Sequence, residues 1–200
     1  MAVLAVPDRT AWIGRRDHAF LLTAMQTGLR LSELTGLTRH DVFLGAGAHV
    51  RCVGKGRKER CTPLSKPAVA VLKKWIADDP TKATSLLFPS TRGGRLSADA
   101  VQRMVGNHVA IARETCPSLE KKRVTPHVFR HTAAMELLQA GVDRALIAIW
   151  LGHESVETTQ LYLDADLAMK ETILAKTNPV DSKAGRYHPG DRLLRFLKAL

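Results

Sequence analysis

Apolar positions over residues 16–27, RDHAFLLTAMQT, fall on most sides of a helical wheel, which predicts a largely buried helix. Gly28 is placed to stop it. In the LRLSELTGL that follows, Ser32 is positioned to cap a short helix carrying Glu33 and Leu34. The pattern changes over residues 49–64. Val50, Cys52 and Val53 lead into GKGRK, RCTPL follows, and Gly54 and Gly56 mark a turn. This predicts a β-hairpin with a basic tip. Residues 66–78 form an amphipathic repeat with Val69, Val71, Leu72 and Trp75 inside and Lys73 and Lys74 outside. A polar loop runs through LLFPS to GGRL, and Ser97 is set to cap a helix over SADAVQRMVGNHVAIARE. After Pro117 and the basic run Lys121, Lys122, Arg123, helices are expected near 128–140, 143–151 and 155–162, with Gly141 and Gly152 as breaks. A further helical stretch, the linker NPVDSKAGRYHPGD and the apolar stripe of RLLRFLKAL close the chain. The expected class is α+β, mostly α-helical, with a small antiparallel hairpin or sheet on one side.

A chain of 200 residues with 45% hydrophobic content can bury a full core, which argues against disorder and for one domain with a tail. The formal charge of +11 points to an anionic partner, nucleic acid first. The alternative is a generally basic protein with no polyanion partner. A membrane surface is disfavoured, because the cations are spread along the chain rather than gathered on one amphipathic helix. Cys52, Cys61 and Cys116 have no CxxC spacing and read as reduced thiols of a cytoplasmic protein. MAVLAV is too short for a signal core, and no apolar run approaches the length of a membrane span.

The candidate chemistry lies in residues 125–166, which hold His127, Arg130, His131, His153 and Tyr162. His127 and Arg130 are three apart, so on a helix both can reach one phosphate. They could equally be part of a buried histidine pair beside a surface arginine. Zinc on His127 and His131 would need a third ligand, and no HExxH, cysteine pair or convincing carboxylate is nearby. Tyr162 could be a core residue. As a nucleophile it needs neighbouring bases and cations, because a phenol is only about 0.1% ionised at neutral pH. No GxxxxGK[ST] loop is present.

Four motifs occur in order: TGLRLSEL, GKGRKER, TPHVFRHTAA and LGHESVETTQLY. Together they resemble the motif set of the tyrosine recombinase family (phage integrase-like, Xer-like) over residues 15–170. The resemblance implies the family's catalytic-domain fold and a set of roles. Arg30 and Arg130 are the phosphate-binding arginines, and Glu33 is the acid that orients the site. Lys58 protonates the leaving 5′ oxygen. His127 belongs to the H-x-x-R box, His153 is the further histidine, and Tyr162 is the nucleophile. Lys55, Arg57 and Arg60 on the hairpin, with Lys121, Lys122 and Arg123, are expected to grip DNA. No catalytic position departs from the family's pattern. The implied reaction cuts and rejoins duplex DNA through a 3′-phosphotyrosyl link, with no metal, ATP or other cofactor.

Alternatives remain beside each motif. Arg30 and Glu33 could be an ordinary helix-end ion pair, and the hairpin charges a solvated tip or a non-catalytic DNA contact. At the level of the whole chain the rivals are a type IB topoisomerase and a DNA-binding remnant that no longer cuts. The resemblance places the catalytic domain over residues 1–176, then a linker and C-terminal helix over 177–200. That helix docks either on its own domain or on a neighbouring protomer. A homotetramer is expected on DNA and a monomer without it. The family's smaller DNA-gripping domain would come first, yet only about fifteen residues precede the first predicted helix, so a catalytic domain alone is expected.

Overall fold

The computed structural model describes residues 2–54, 59–78 and 84–152. Helix α1 (Ala2–Ala5) is one turn, and α2 (Trp12–Thr27) is the central helix. It begins four residues before the predicted stretch, because Trp12 packs on Trp75 with ring centroids 5.6 Å apart. Its burial extends to polar groups. Thr23 and Thr27 donate to carbonyls four residues back, at 2.8 and 2.6 Å, which satisfies hydroxyls that have no water. Arg16 and Asp17 are also buried. Arg16 donates to Asp17 Oδ1 from Nε at 2.9 Å and from Nη2 at 2.7 Å, and His108 Nε2 lies 3.0 Å from Asp17 Oδ2.

Gly28 ends α2 as expected, in the left-handed conformation (φ 63°), its N–H donating to Ala24 O at 3.1 Å. Any side chain there would place Cβ 2.6 Å from Leu151 Cδ2. Helix α3 (Leu31–Gly36) follows. Its cap is not Ser32. Arg30 occupies the cap position, and its backbone N–H donates to Glu33 Oε2 at 2.7 Å. The acid three residues into the helix caps it, which leaves Ser32 inside the first turn.

Among the described residues the sheet has three antiparallel strands, β1 (Val42–Phe43), β2 (His49–Val53) and β3 (Glu59–Pro63), in that order. The predicted hairpin is β2–β3, with Val50 opposite Thr62 and Cys52 opposite Arg60. Helix α4 (Lys66–Asp78) buries Ala68, Leu72 and Trp75, while Val69 and Val71 are half-buried. Ser97 caps α5 (Ala98–Thr115), its Oγ accepting from Ala100 N at 3.1 Å. Helix α6 (Pro126–Gln139) starts earlier than expected, since a proline fits the first helical turn. Helix α7 (Arg144–Leu151) is capped by Asp143 and stopped by Gly152 at φ 71°.

Most of the core is one cluster from α2, α4, α5 and the sheet. A second cluster, Leu137, Val142, Ile147, Trp150 and Leu151 among it, joins α6 to α7. Helix α2 touches both α4 and α6. Trp150 Nε1 donates to Thr27 O at 3.1 Å and pins α7 to the end of α2. Truncating Trp150 to alanine should cost about 3–5 kcal/mol and loosen α7 first. The segment 28–30, between α2 and α3, thus lies where the two clusters meet. Among the described residues no helix is long and apolar enough to cross a membrane, and no disulfide joins the cysteines.

Candidate active site

The break at Gly28 places Arg30 at the rim of a cleft of about 880 Å³. Arg30, His127 and Arg130 all line it, with Ser32, Thr35 and Arg95. Arg30 and the pair His127 and Arg130, about a hundred residues away in sequence, therefore share one concave surface. Arg130 is 5% exposed and its guanidinium is held by backbone carbonyls. Nη1 donates to Gly28 O at 2.6 Å and Nη2 to Leu151 O at 2.7 Å. The side chain of Arg30 is 37% exposed, with Nη2 donating to Gly152 O at 3.1 Å and Nη1 to Glu33 Oε1 at 3.3 Å. Both arginines are thereby tied to the Leu151–Gly152 turn, the last described step before His153.

Glu33 is the electrostatic hinge of the cluster. Arg60 Nη1 donates to its Oε1 at 2.9 Å and Nη2 to its Oε2 at 2.7 Å. Burial pushes the Glu33 carboxyl up, but the hydrogen bonds and charge of Arg60, then those of Arg30, outweigh it and hold the group below its ordinary range. Burial, and then the charges of Arg30 and Arg60, push Arg130 down to about 10, so it stays a cation at neutral pH. Three guanidiniums around one carboxylate leave a surplus of positive charge beside an open cleft, which suits a phosphate.

His127 is exposed on the first turn of α6, and its ring meets His131 edge-on at a centroid distance of 4.5 Å. Burial, then the neighbouring His127 and Arg130, push His131 below its ordinary range. No group of three or more His, Cys, Asp or Glu side chains that could hold a metal occurs among the described residues.

One expected DNA contact is corrected. Arg60, read as part of the exposed basic tip, turns inward onto Glu33, and its side chain is only 10% exposed. The buried carboxylate outcompetes solvent for it. Lys121, Lys122 and Arg123 are exposed, in the connection leading to the cleft-lining Thr125, Pro126 and His127. Lys55, Arg57, Lys58, His153, Tyr162 and the helices expected beyond Gly152 lie outside the described residues. Sequence reasoning missed Arg95. Its Nε donates to Thr35 Oγ1 at 3.1 Å and its Nη2 to Ser32 O, so it stands against α3 on the cleft wall.

The model of the phage integrase family matches residues 3–169 of this chain. The chain belongs to that family. Among its family relatives, y4rC of Sinorhizobium fredii, an integrase/recombinase by name, is 62% identical over all of this chain and 60% of its own length. The tyrosine recombinase XerC of Pelobacter propionicus is 37% identical, over 89% of this chain and 57% of its own length. A crystal structure of the XerH site-specific recombinase, a post-cleavage complex bound to palindromic difH substrate, superposes with a TM-score of 0.65 at 26% identity. The match covers 86% of this chain and 49% of that one. The chain thus spans about half to three fifths of the length of the relatives it matches.

Proposed function

We propose that this chain carries the catalytic machinery of a site-specific DNA recombinase that cuts and rejoins strands through a covalent link to Tyr162. One observation carries the reading most. Arg30 and Arg130 reach one cleft from distant segments and are both fixed by carbonyls of the turn that leads to His153. Guanidiniums held in this way can meet charge developing on phosphate oxygens without reorganising.

In the proposed reaction the Tyr162 phenol gives its proton to a neighbouring base, its oxygen attacks phosphorus, and the bond from phosphorus to the 5′ oxygen breaks. Lys58 supplies the proton that the departing 5′ oxygen needs. Arg30, Arg130, His127 and His153 hold the non-bridging oxygens, the role that metal ions play in many other phosphoryl transfers. The phosphotyrosyl link keeps the energy of the original bond, so a second strand's 5′ hydroxyl can displace Tyr162 without ATP. Duplex DNA is the partner, with Lys55, Arg57, Lys121, Lys122 and Arg123 on its backbone. Four copies assemble on DNA, and the chain is a monomer without it.

The test is a suicide substrate: nicked duplexes of randomised sequence, from which cleavage releases a short strand and traps the enzyme. The wild-type chain should give a protein–DNA adduct on a denaturing gel, and Tyr162→Phe should give none. An adduct of equal yield from Tyr162→Phe would refute the assignment of the nucleophile.

A further inference from the structure

Arg60 is not one of the residues given a catalytic role above, yet it is the tightest partner of Glu33. It contributes two nearly parallel bonds at 2.9 and 2.7 Å from a side chain 10% exposed, whereas Arg30 contributes one side-chain bond at 3.3 Å from a side chain 37% exposed. A paired fork of this kind is the strong geometry for arginine and carboxylate. The carboxylate is therefore neutralised chiefly by Arg60. Were Arg60 neutral, Glu33 would fall to Arg30 alone, and the half-exposed cation at the cleft would lose its net charge.

Arg60 also touches the other fixed point of Arg30. A Cβ added at Gly152 would lie 2.6 Å from Arg60 Nη1, so the guanidinium is packed against the turn whose carbonyl accepts from Arg30 Nη2. From β3, opposite Cys52, Arg60 thus joins the hairpin base, the α3 cap and the Gly152 turn.

Resting on the recombinase reading, we infer that Arg60 is a positioning residue: it neutralises Glu33 so that Arg30 presents an uncompensated positive charge to the scissile phosphate. Its effect is on the rate of strand cleavage and not on DNA affinity, because its guanidinium faces Glu33 and not solvent.

The experiment measures adduct formation at saturating DNA and DNA affinity across salt. It uses the nicked randomised pool with wild type, Arg60→Met, Arg60→Lys, Glu33→Gln and the double variant Arg60→Met/Glu33→Gln. Arg60→Met should slow the adduct on the order of 10²-fold, the size of losing one preorganised donor. Its salt slope should match wild type. Removing the orphaned carboxylate in the double variant should restore about tenfold of that loss, and Arg60→Lys should retain more rate than Arg60→Met. Two results would overturn the inference. One is a double variant no faster than Arg60→Met. The other is an Arg60→Met variant with wild-type rate at saturation and a salt slope smaller by about one phosphate contact. If Arg60→Met does not fold, Arg60→Gln with and without Glu33→Gln gives the same comparison. A wild-type chain that forms no adduct would overturn the recombinase reading itself, an outcome distinct from adduct formation without rescue.

Discussion

Among the described residues, two buried carboxylates lie between basic side chains, and only one borders an open cleft. Asp17 lies between Arg16 and His108, with side-chain exposures of 6%, 8% and 14%. Arg16 spends a further N–H on Pro89 O at 3.2 Å, so the trio is closed on itself. Glu33 lies between Arg30 and Arg60 and is as buried as Asp17, at 5%. Here one cation remains 37% exposed, on a cleft that a third guanidinium also lines. The same acid and base chemistry staples helices in one place and leaves a cation facing an open cleft in the other. Exposure of one partner, and cationic charge beyond what the carboxylate cancels, decide which.

The largest expected effect would separate the two clusters. Arg16→Ala leaves Asp17 buried without its main partner and should cost about 3–5 kcal/mol. In a chain of this size that lowers the thermal midpoint by about 2–4 °C per kcal/mol. The rate of adduct formation per folded molecule should not change. Arg30→Ala should do the reverse. Its midpoint should move little, as expected for a half-exposed side chain. Cleavage at saturating DNA should fall about 10²–10³-fold. If Arg16→Ala slowed folded molecules as much as Arg30→Ala, the distinction between staple and site would be lost.

A third acid sharpens the contrast through pH. Burial pushes the Glu136 carboxyl, on α6, up to about 7 from an ordinary 4.5. Between those values the folded chain holds a proton that the unfolded chain has released. Its contribution to stability is therefore full below about pH 4.5 and is lost as pH rises through 7. Glu136→Gln should raise the midpoint by about 2–4 °C at pH 8, roughly 1 kcal/mol after allowing for solvent screening, and by nothing at pH 4. Glu33 has the opposite sign. Held below its ordinary range, it stabilises at neutral pH, and that stability is lost as pH falls through its lowered value.

The smallest effect concerns the cleft wall. Arg95→Ala should weaken DNA binding a few-fold, equally across sequences, and reduce the salt slope by about one. An unchanged slope in a filter-binding titration would make Arg95 only a brace for α3.

Much of the frame was legible because its signals are local. Helix α4 runs over the predicted 66–78, Ser97 caps α5, and Gly28 and Gly152 stop helices where left-handed backbone is needed. The cap of α3 was misread because Ser32 is a common cap residue, while the acid at Glu33 points back to Arg30. Strand β1 has two residues, too few to show a period. Arg30, His127 and Arg130 were readable as motif residues, and their meeting in one cleft is tertiary. The pattern put Arg60 on the hairpin but gave no partner for it or for Arg95. Both look like surface cations in sequence, and partners 27 and 60 residues away decide where they point.

In the proposed function the cluster around Arg30 and Arg130 serves a tyrosine attack on a phosphodiester. Its most direct test is to digest the trapped adduct and identify the DNA-linked peptide by mass spectrometry. The account predicts a phosphodiester on the Tyr162 oxygen, joined to the 3′ end of the cleaved strand. A link on any other residue, or at a 5′ end, would contradict it.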